Sequence, residues 1–154
     1  MSESAITKPH QLVEPGREKE FLHLLLKHLP VSVSILDGDL NYRMISKRTY
    51  DSLRISPDDL SIGSPLAICH DLMMQNGMLT EELVERNSLS SQDLAKQTKK
   101  SEESVSNLIE LGDGTVHRLM RKPIGDNHTL SIATDVTELV EKEGLLDEDR
   151  KSVV

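Results

Sequence analysis

Aromatic side chains are scarce in this chain: no tryptophan, one phenylalanine (Phe21) and two tyrosines (Tyr42 and Tyr50) among 154 residues. A flavin, which needs rings to stack against, finds few partners here. Cysteine is nearly missing too, since Cys69 stands alone. That excludes an internal disulfide framework and a cysteine-based zinc site. Near the N-terminus the longest apolar run is residues 24–26, too short for a signal peptide or a bilayer span, so a cytoplasmic protein is expected. Positive charge is the minority sign, with 18 Lys and Arg against 26 Asp and Glu, a net charge of −8 and a pI near 5.2. The densest basic group is Arg118, Arg121 and Lys122. Such a chain is a poor general binder of nucleic acid or of anionic membrane, both of which are held largely by lysine and arginine. A Gly-rich phosphate loop, a nucleophile elbow and a zinc-protease helix motif are all lacking, which leaves catalysis without support. The six histidines include no i, i+4 pair, so no metal site is expected.

What the chain does carry is enough for one domain with a true core. At this length roughly two-thirds of the unfolded surface can be buried. Residues 1 to about 14 are polar and contain Pro9, which reads as a lead-in. "REKEFLHLLLKHLP" then predicts a helix that stops at Pro30. Its apolar residues Phe21, Leu22, Leu24, Leu25, Leu26 and Leu29 cover a wide arc opposite His23 and Lys27. One packed face needs a narrower stripe, so two contact surfaces are expected, one on the protein's own sheet and one on a partner. "VSVSILDGDLNYRMIS" predicts a hairpin turning at "DGD". Asp37, Asp39 and Asn41 have the start of a calcium-loop spacing, but Tyr42 and Arg48 stand where glycine and glutamate are needed. Short helical pieces follow, broken by Pro57, Gly63 and Pro65; a helical stretch spans 69–78; and Thr80 N-caps a further helix with Glu81 and Glu82 in its first turn. The serine-rich stretch that follows includes Ser90 and Asp93 at capping-box spacing. Strand patterns at 105–111, 116–122 and 129–134 are joined by "GDG" and "GDN" turns. In "LSIATDVTELVEKEGLL" the last strand runs almost directly into a charged helix. The order predicts an α+β fold with one antiparallel sheet.

That order, with "LLKHLPVSVSILDGDLNYRMIS" (25–46), "GSPL" (63–66), "NGML" (76–79), "LGDGTVHRLMRKPI" (111–124) and "DVTE" (135–138), resembles the PAS domain, in the branch found ahead of bacterial histidine kinases and diguanylate cyclases. The resemblance covers about residues 20 to 143. It implies a PAS fold: a five-stranded antiparallel sheet with short helices on one face, flanked by N- and C-terminal helices. The expected parts are a flexible N-terminus (1–15), an amphipathic helix (16–30), the PAS domain (31–137) and an exit helix with an acidic tail (138–154). Two departures stand out. Ser46 occupies the place of a family asparagine at the helix after the second strand, and the stretch 88–106 is more polar than its counterpart.

In this family an aspartate and threonine at D-x-T spacing close the last strand around the exit helix, and Asp135 and Thr137 match them. The resemblance gives them signal coupling; a plain helix N-cap explains the same residues without it. By strand alternation and family topology, an apolar ligand pocket is expected from Val33, Ile35, Met44, Cys69, Met73, Leu119 and Ile132. Met44, Met73, Met74, Met78 and Met120 suit such a pocket or ordinary core gap-filling. His70 is the sole candidate for an axial haem ligand, while "AICHDL" lacks the flavin-adduct motif of light sensors. No cofactor is required.

The sequence thus predicts a non-enzymatic cytoplasmic regulator of bacterial two-component signalling that acts by protein–protein contact, with a histidine kinase or other signalling protein as partner. Size and organisation are similar to stand-alone alphaproteobacterial PAS proteins that act on kinases at the cell pole. Homodimers would form through Phe21, Leu22, Leu25 and Leu29, because exposed apolar patches of this kind mark interfaces. The exit helix meets Gly144 and the chain ends at Val154, so no output domain is expected. The acidic tail is a solvated face or a contact for a basic partner, and the terminal "SVV" has a PDZ-ligand pattern. The alternative function is a sensor that binds a small apolar molecule in the PAS cavity.

Overall fold

A computed structural model describes residues 12–89 and 104–143. The lead-in up to residue 11, the Ser90 and Asp93 capping box with most of the serine-rich stretch, and Gly144 with the acidic tail and the terminal "SVV" lie outside the described residues.

Helix α1 (Glu18–His28) has Glu18 and Glu20 in its first turn and Lys27 and His28 in its last, signs that suit the helix dipole. It ends where Leu29, the residue before Pro30, turns extended at ψ 131°. None of its residues is buried. The element it meets most extensively is helix α2 (Lys47–Leu53), not the sheet expected from its wide apolar arc.

Strands β1 (Ser32–Leu36) and β2 (Tyr42–Ile45) form the first hairpin. Its turn is held by Asp37, whose Oδ1 accepts the N–H groups of Asp39 and Asn41, both at 3.0 Å. Helices α2, α3 (Leu66–Asn76) and α4 (Glu81–Arg86) follow. Thr80 caps α4 as expected, accepting from the Leu83 N–H at 3.2 Å. Strands β3 (Val105–Glu110), β4 (Val116–Ile124) and β5 (His128–Asp135) then run as a meander, and helix α5 (Thr137–Glu143) closes the chain's described part. The sheet order is β2-β1-β5-β4-β3, antiparallel throughout. This is the α+β class that the pattern of elements predicts.

One cluster forms the core between the inner face of the sheet and α2 to α4. Leu36 and Tyr42 enter from the first hairpin, Leu66, Cys69 and Met73 from α3, and Ile109 and Leu111 from the far edge. Leu60 and Leu79 are fully enclosed. Two of the quoted motifs meet at its rim. The Gly112 N–H donates to the Met78 carbonyl at 2.8 Å, and a side chain on Gly112 would lie 1.7 Å from the Gly77 oxygen. Asn87, also buried, works as a substitute strand: its side chain donates to the Glu110 carbonyl (2.7 Å) and accepts the Glu110 N–H (3.0 Å), covering part of the edge of β3.

Replacing Gly112 by alanine forces "NGML" and "LGDG" apart. The expected loss is about 1–3 kcal/mol, the usual cost of overpacking, read as a lower urea midpoint.

Candidate functional site

A cavity of about 110 Å³ lies between the sheet and the helices. Its sheet floor is set by register. Ser34 pairs with Ser131, which pairs in turn with Arg121, and Ser32 pairs with Ala133, which pairs with Leu119. Residues facing one another across antiparallel strands share a face. The floor therefore consists of Ser32 and Ser34 from β1, Ser131 and Ala133 from β5, and His117, Leu119 and Arg121 from β4, all of which line the cavity. Helix α3 supplies Cys69, His70 and Met73 from the other side.

This corrects the expected pocket. Cys69, Met73 and Leu119 line the cavity, whereas Val33, Ile35, Met44 and Ile132 do not. Val33 pairs with Ile132 and Ile35 with Met44, which puts these four together on the opposite face. The apolar alternates of β1 and β5 look outward and the serines look in. Because side chains alternate with period two, choosing the wrong parity moves the whole set across the sheet. The serines at 32 and 34, and the arginine within a strand, were the available signal for the true lining.

Burial controls the titratable groups around the cavity. It pushes the Cys69 thiol up, against the pull of the Tyr42 hydroxyl beside it, and pushes the Tyr42 phenol well up. A thiol held protonated is a poor nucleophile and a poor metal ligand. Burial, helped by the charge of Arg121, holds His70 below its ordinary value. His70 reaches the cavity, yet 110 Å³ is far below the roughly 300–1,000 Å³ of sites that take drug-sized ligands, so a haem or flavin does not fit this conformation. Among the described residues no three His, Cys, Asp or Glu come together as a metal group. Ser46 does not line the cavity. Fully buried, it accepts the Val33 N–H at 2.9 Å and sits 3.2 Å from the Thr49 hydroxyl, so it ties α2 to β1.

At the cavity's end the strand-to-helix junction is held by hydrogen bonds. The Thr137 hydroxyl accepts the Val116 N–H (2.9 Å) and donates to Asp135 Oδ1 (2.5 Å), which also accepts the Thr137 N–H (2.9 Å). The Val136 N–H donates to the Val116 carbonyl at 2.9 Å, so both backbone groups of Val116 are bound to the start of α5. The hydrogen bond from Thr137 holds Asp135 below the usual carboxylate range. A second aspartate and threonine at the same spacing sit in the β3–β4 turn. The Thr115 hydroxyl donates to Asp113 Oδ1 (2.6 Å) and lies 3.0 Å from His117 Nε2. Since that hydroxyl proton is committed to Asp113, Thr115 accepts from His117, which places the imidazole proton on Nε2. Buried His117 thus links the turn to the cavity and pairs across the sheet with Asp135. The sequence reading missed it. Burial holds His117 below its ordinary value, while Asp135 and Asp113 pull it up and Arg48 adds to the depression.

Comparisons with solved structures agree with this architecture. The PAS domain of BvgS from Bordetella pertussis shares 15% identity and a TM-score of 0.58, over 87% of this chain and 99% of that one. The PAS domain of an HTR-like protein from Haloarcula marismortui shares 16% and 0.52, over 76% and 96%. An RNA-binding light-oxygen-voltage receptor shares 16% and 0.61, over 93% of this chain and 40% of that one. No protein-family model and no curated protein matches the sequence. The chain has the PAS fold. Among the described residues no helix is long and apolar enough to cross a membrane.

Two outcomes are expected. Thr137→Val leaves the Val116 N–H without its acceptor and should cost about 1–3 kcal/mol in urea unfolding, while Thr137→Ser keeps most of that stability. The second concerns pH. His70 and His117 lie below 6.5 in the folded protein, so as pH falls the unfolded chain takes up their protons first. Their contribution is whole above about pH 6.5 and is lost as pH falls through their folded values. The urea midpoint should drop on acidification in that range, and His117→Asn should flatten the drop.

Proposed function

We propose that this protein is a non-enzymatic cytoplasmic signalling regulator that works through protein–protein contact, with a histidine kinase or another signalling protein as its partner. The observation that carries this reading is the free apolar face of α1. Leu22, Leu24 and Leu25 are 49%, 42% and 54% exposed on a helix with no buried residue. Leu12 and Val13 border the same surface depression as Phe21, Leu24, Leu25 and Leu29 and are themselves exposed, so they add to the apolar surface. A patch of this kind on a folded domain is characteristic of an interface. Phe21, Leu22, Leu25 and Leu29 pair two protomers in this reading. The kinase rests on the resemblance of the sequence motifs to PAS domains that precede kinases, and recruitment to a cell pole would follow from such a partner. Asp135 and Thr137 couple the sheet to the exit helix, whose direction is the output. The parts are the lead-in at 1–15, the helix at 16–30, the domain at 31–137 and the exit helix and tail at 138–154.

A second reading, a small-molecule sensor, is favoured by a separate observation. Ser32 and Ser34 line the cavity, are each only 8% exposed, and make no side-chain hydrogen bond to any described residue. Buried hydroxyls are normally satisfied, so donors aimed at a cavity suit a polar ligand group.

Sedimentation equilibrium at micromolar concentration tests the first reading. A dimer that Leu22→Glu converts to monomer is expected. Monomer for the wild type, with Leu22→Glu unchanged, overturns the interface.

A further inference from the structure

The cavity is apolar on its helix side, but its sheet floor carries a group of serine hydroxyls. Ser34 and Ser131 face one another across β1 and β5 in direct register, and Ser32 stands on the same face of β1. All three line the cavity and make no side-chain hydrogen bond to any described residue. Ser32 and Ser34 are each only 8% exposed, so bulk water does not serve them as it serves a surface hydroxyl. Directly opposite residues of antiparallel strands hold their Cβ atoms about 4.5–5.5 Å apart. Two hydroxyl hydrogen bonds of about 2.7–2.8 Å span a similar distance, so one oxygen seated between Ser34 and Ser131 reaches both. A serine hydroxyl both donates and accepts, and such a pair takes an alcohol or a carbonyl oxygen.

The lining leaves no charge open to a ligand. None of the described lining residues is acidic, and Arg121, their one fixed cation, already has an interaction of its own. His70 and His117 are largely neutral near pH 7, because burial holds both below their ordinary values. An ionised head group would therefore enter without a counter-charge, at a heavy desolvation cost. Water satisfies the hydroxyls but not the rest of the space. Leu36, Met73 and Leu79, exposed by 2%, 4% and 1%, wall the other side. A water there lacks the roughly two to four polar partners that buried water needs.

Resting on the sensor reading above, we propose that the cavity binds a small neutral amphiphile, an alcohol or carbonyl compound. Its oxygen bridges Ser34 and Ser131 beside Ser32, and its short hydrocarbon part lies against Leu36, Met73 and Leu79. A volume of about 110 Å³ falls below the roughly 150 Å³ of an engineered apolar cavity that holds benzene, so the frame is smaller than a benzene ring. Ser131 belongs to β5, the strand that ends at Asp135, so the anchor sits on the strand that runs into the α5 junction.

The test titrates the full chain with 1-butanol, 1-chlorobutane, butanoate and butylammonium, all built on four carbons, and follows amide shifts at Ser34 and Ser131. 1-Butanol is expected to bind at millimolar concentration or below, and both ions at least about tenfold more weakly. Ser34→Ala with Ser131→Ala should lower the affinity of 1-butanol about tenfold, the scale of two hydrogen bonds, and leave 1-chlorobutane unchanged or tighter. If only 1-chlorobutane binds, or if alcohol and chloride respond alike to the double variant, the hydroxyl anchor is overturned and the sensor reading stands. An ion that binds as tightly as 1-butanol overturns the neutral class and again leaves the sensor reading standing. If none of the probes binds at millimolar concentration, the serines hold water only, and both the proposal and a sensor for ligands of this size are overturned. Should the double variant lose its cooperative urea transition, Ser34→Ala alone and the wild-type order of the probes decide the matter.

Discussion

The pairing of β1 with β5 is the contact on which the rest of the molecule depends. Five consecutive pairs, from Ser32 with Ala133 to Leu36 with Thr129, join the first hairpin to the last meander. Nearly 100 residues separate these strands, so their closure brings the two halves of the chain into one sheet. Such closure costs entropy that grows only slowly with loop length. The ladder also sets parity. With β1 and β5 locked, β4 follows through its own pairs with β5, and Ser34, Ser131 and Arg121 must look the same way. A slip of one residue would expose Leu36 and turn Val33 and Ile132 inward, changing the cavity from polar-floored to apolar.

The register explains an uneven core. Toward the "DGD" turn the inner face is aliphatic, and Leu36 meets Tyr42, Leu60 and Leu79 in a dense cluster. Toward the start of β1 the same face carries Ser32 and Ser34, which cannot contribute comparable apolar burial. The helices do not close on hydroxyls as they close on leucine, and the cavity runs from these serines to the aliphatic wall of Leu36 and Leu79. Ser46 and Thr49 keep α2 in place there by hydrogen bonds to β1 in place of apolar packing. One face of β1 thus serves the core cluster at Leu36 and the polar floor of the cavity at Ser32 and Ser34.

Turns, strand patterns and the final strand-to-helix passage were legible because each has a local cause. Asp37 holds its own turn, Thr80 caps its own helix, and Asp135 with Thr137 closes the junction within three residues. Parity was not legible. Alternation in β1 says that Val33 and Ile35 share a face, but both faces of this sheet are partly covered, so apolar character does not mark the inner one. Ile35 and Ile132 are half-buried on the outside while Ser34 is buried within. Asn87 and Gly112 were illegible for another reason, since their partners, Glu110 and Gly77, lie on other elements.

The junction of β4 with α5 has a mechanical consequence. Val116 has both its N–H and its carbonyl committed to Thr137 and Val136, and Asp135 holds the Thr137 hydroxyl in the orientation that keeps the first of these. A strand inside an antiparallel sheet stretches little, so a shift of β4 along its axis reaches Val116 almost undiminished. Three responses are open to the junction: α5 follows, the hydrogen bonds break, or the shift is refused. Breaking them leaves polar groups unsatisfied at about 1–3 kcal/mol each, more than a small displacement supplies. Of the responses that remain, α5 following the strand requires only that the helix lack stronger ties elsewhere. Val140 is its one buried residue, so its hold on the domain beyond the junction is slight. The Val116 junction is therefore the main tie between α5 and the sheet, and under the coupling proposed above a displacement of β4 would reach the helix through it.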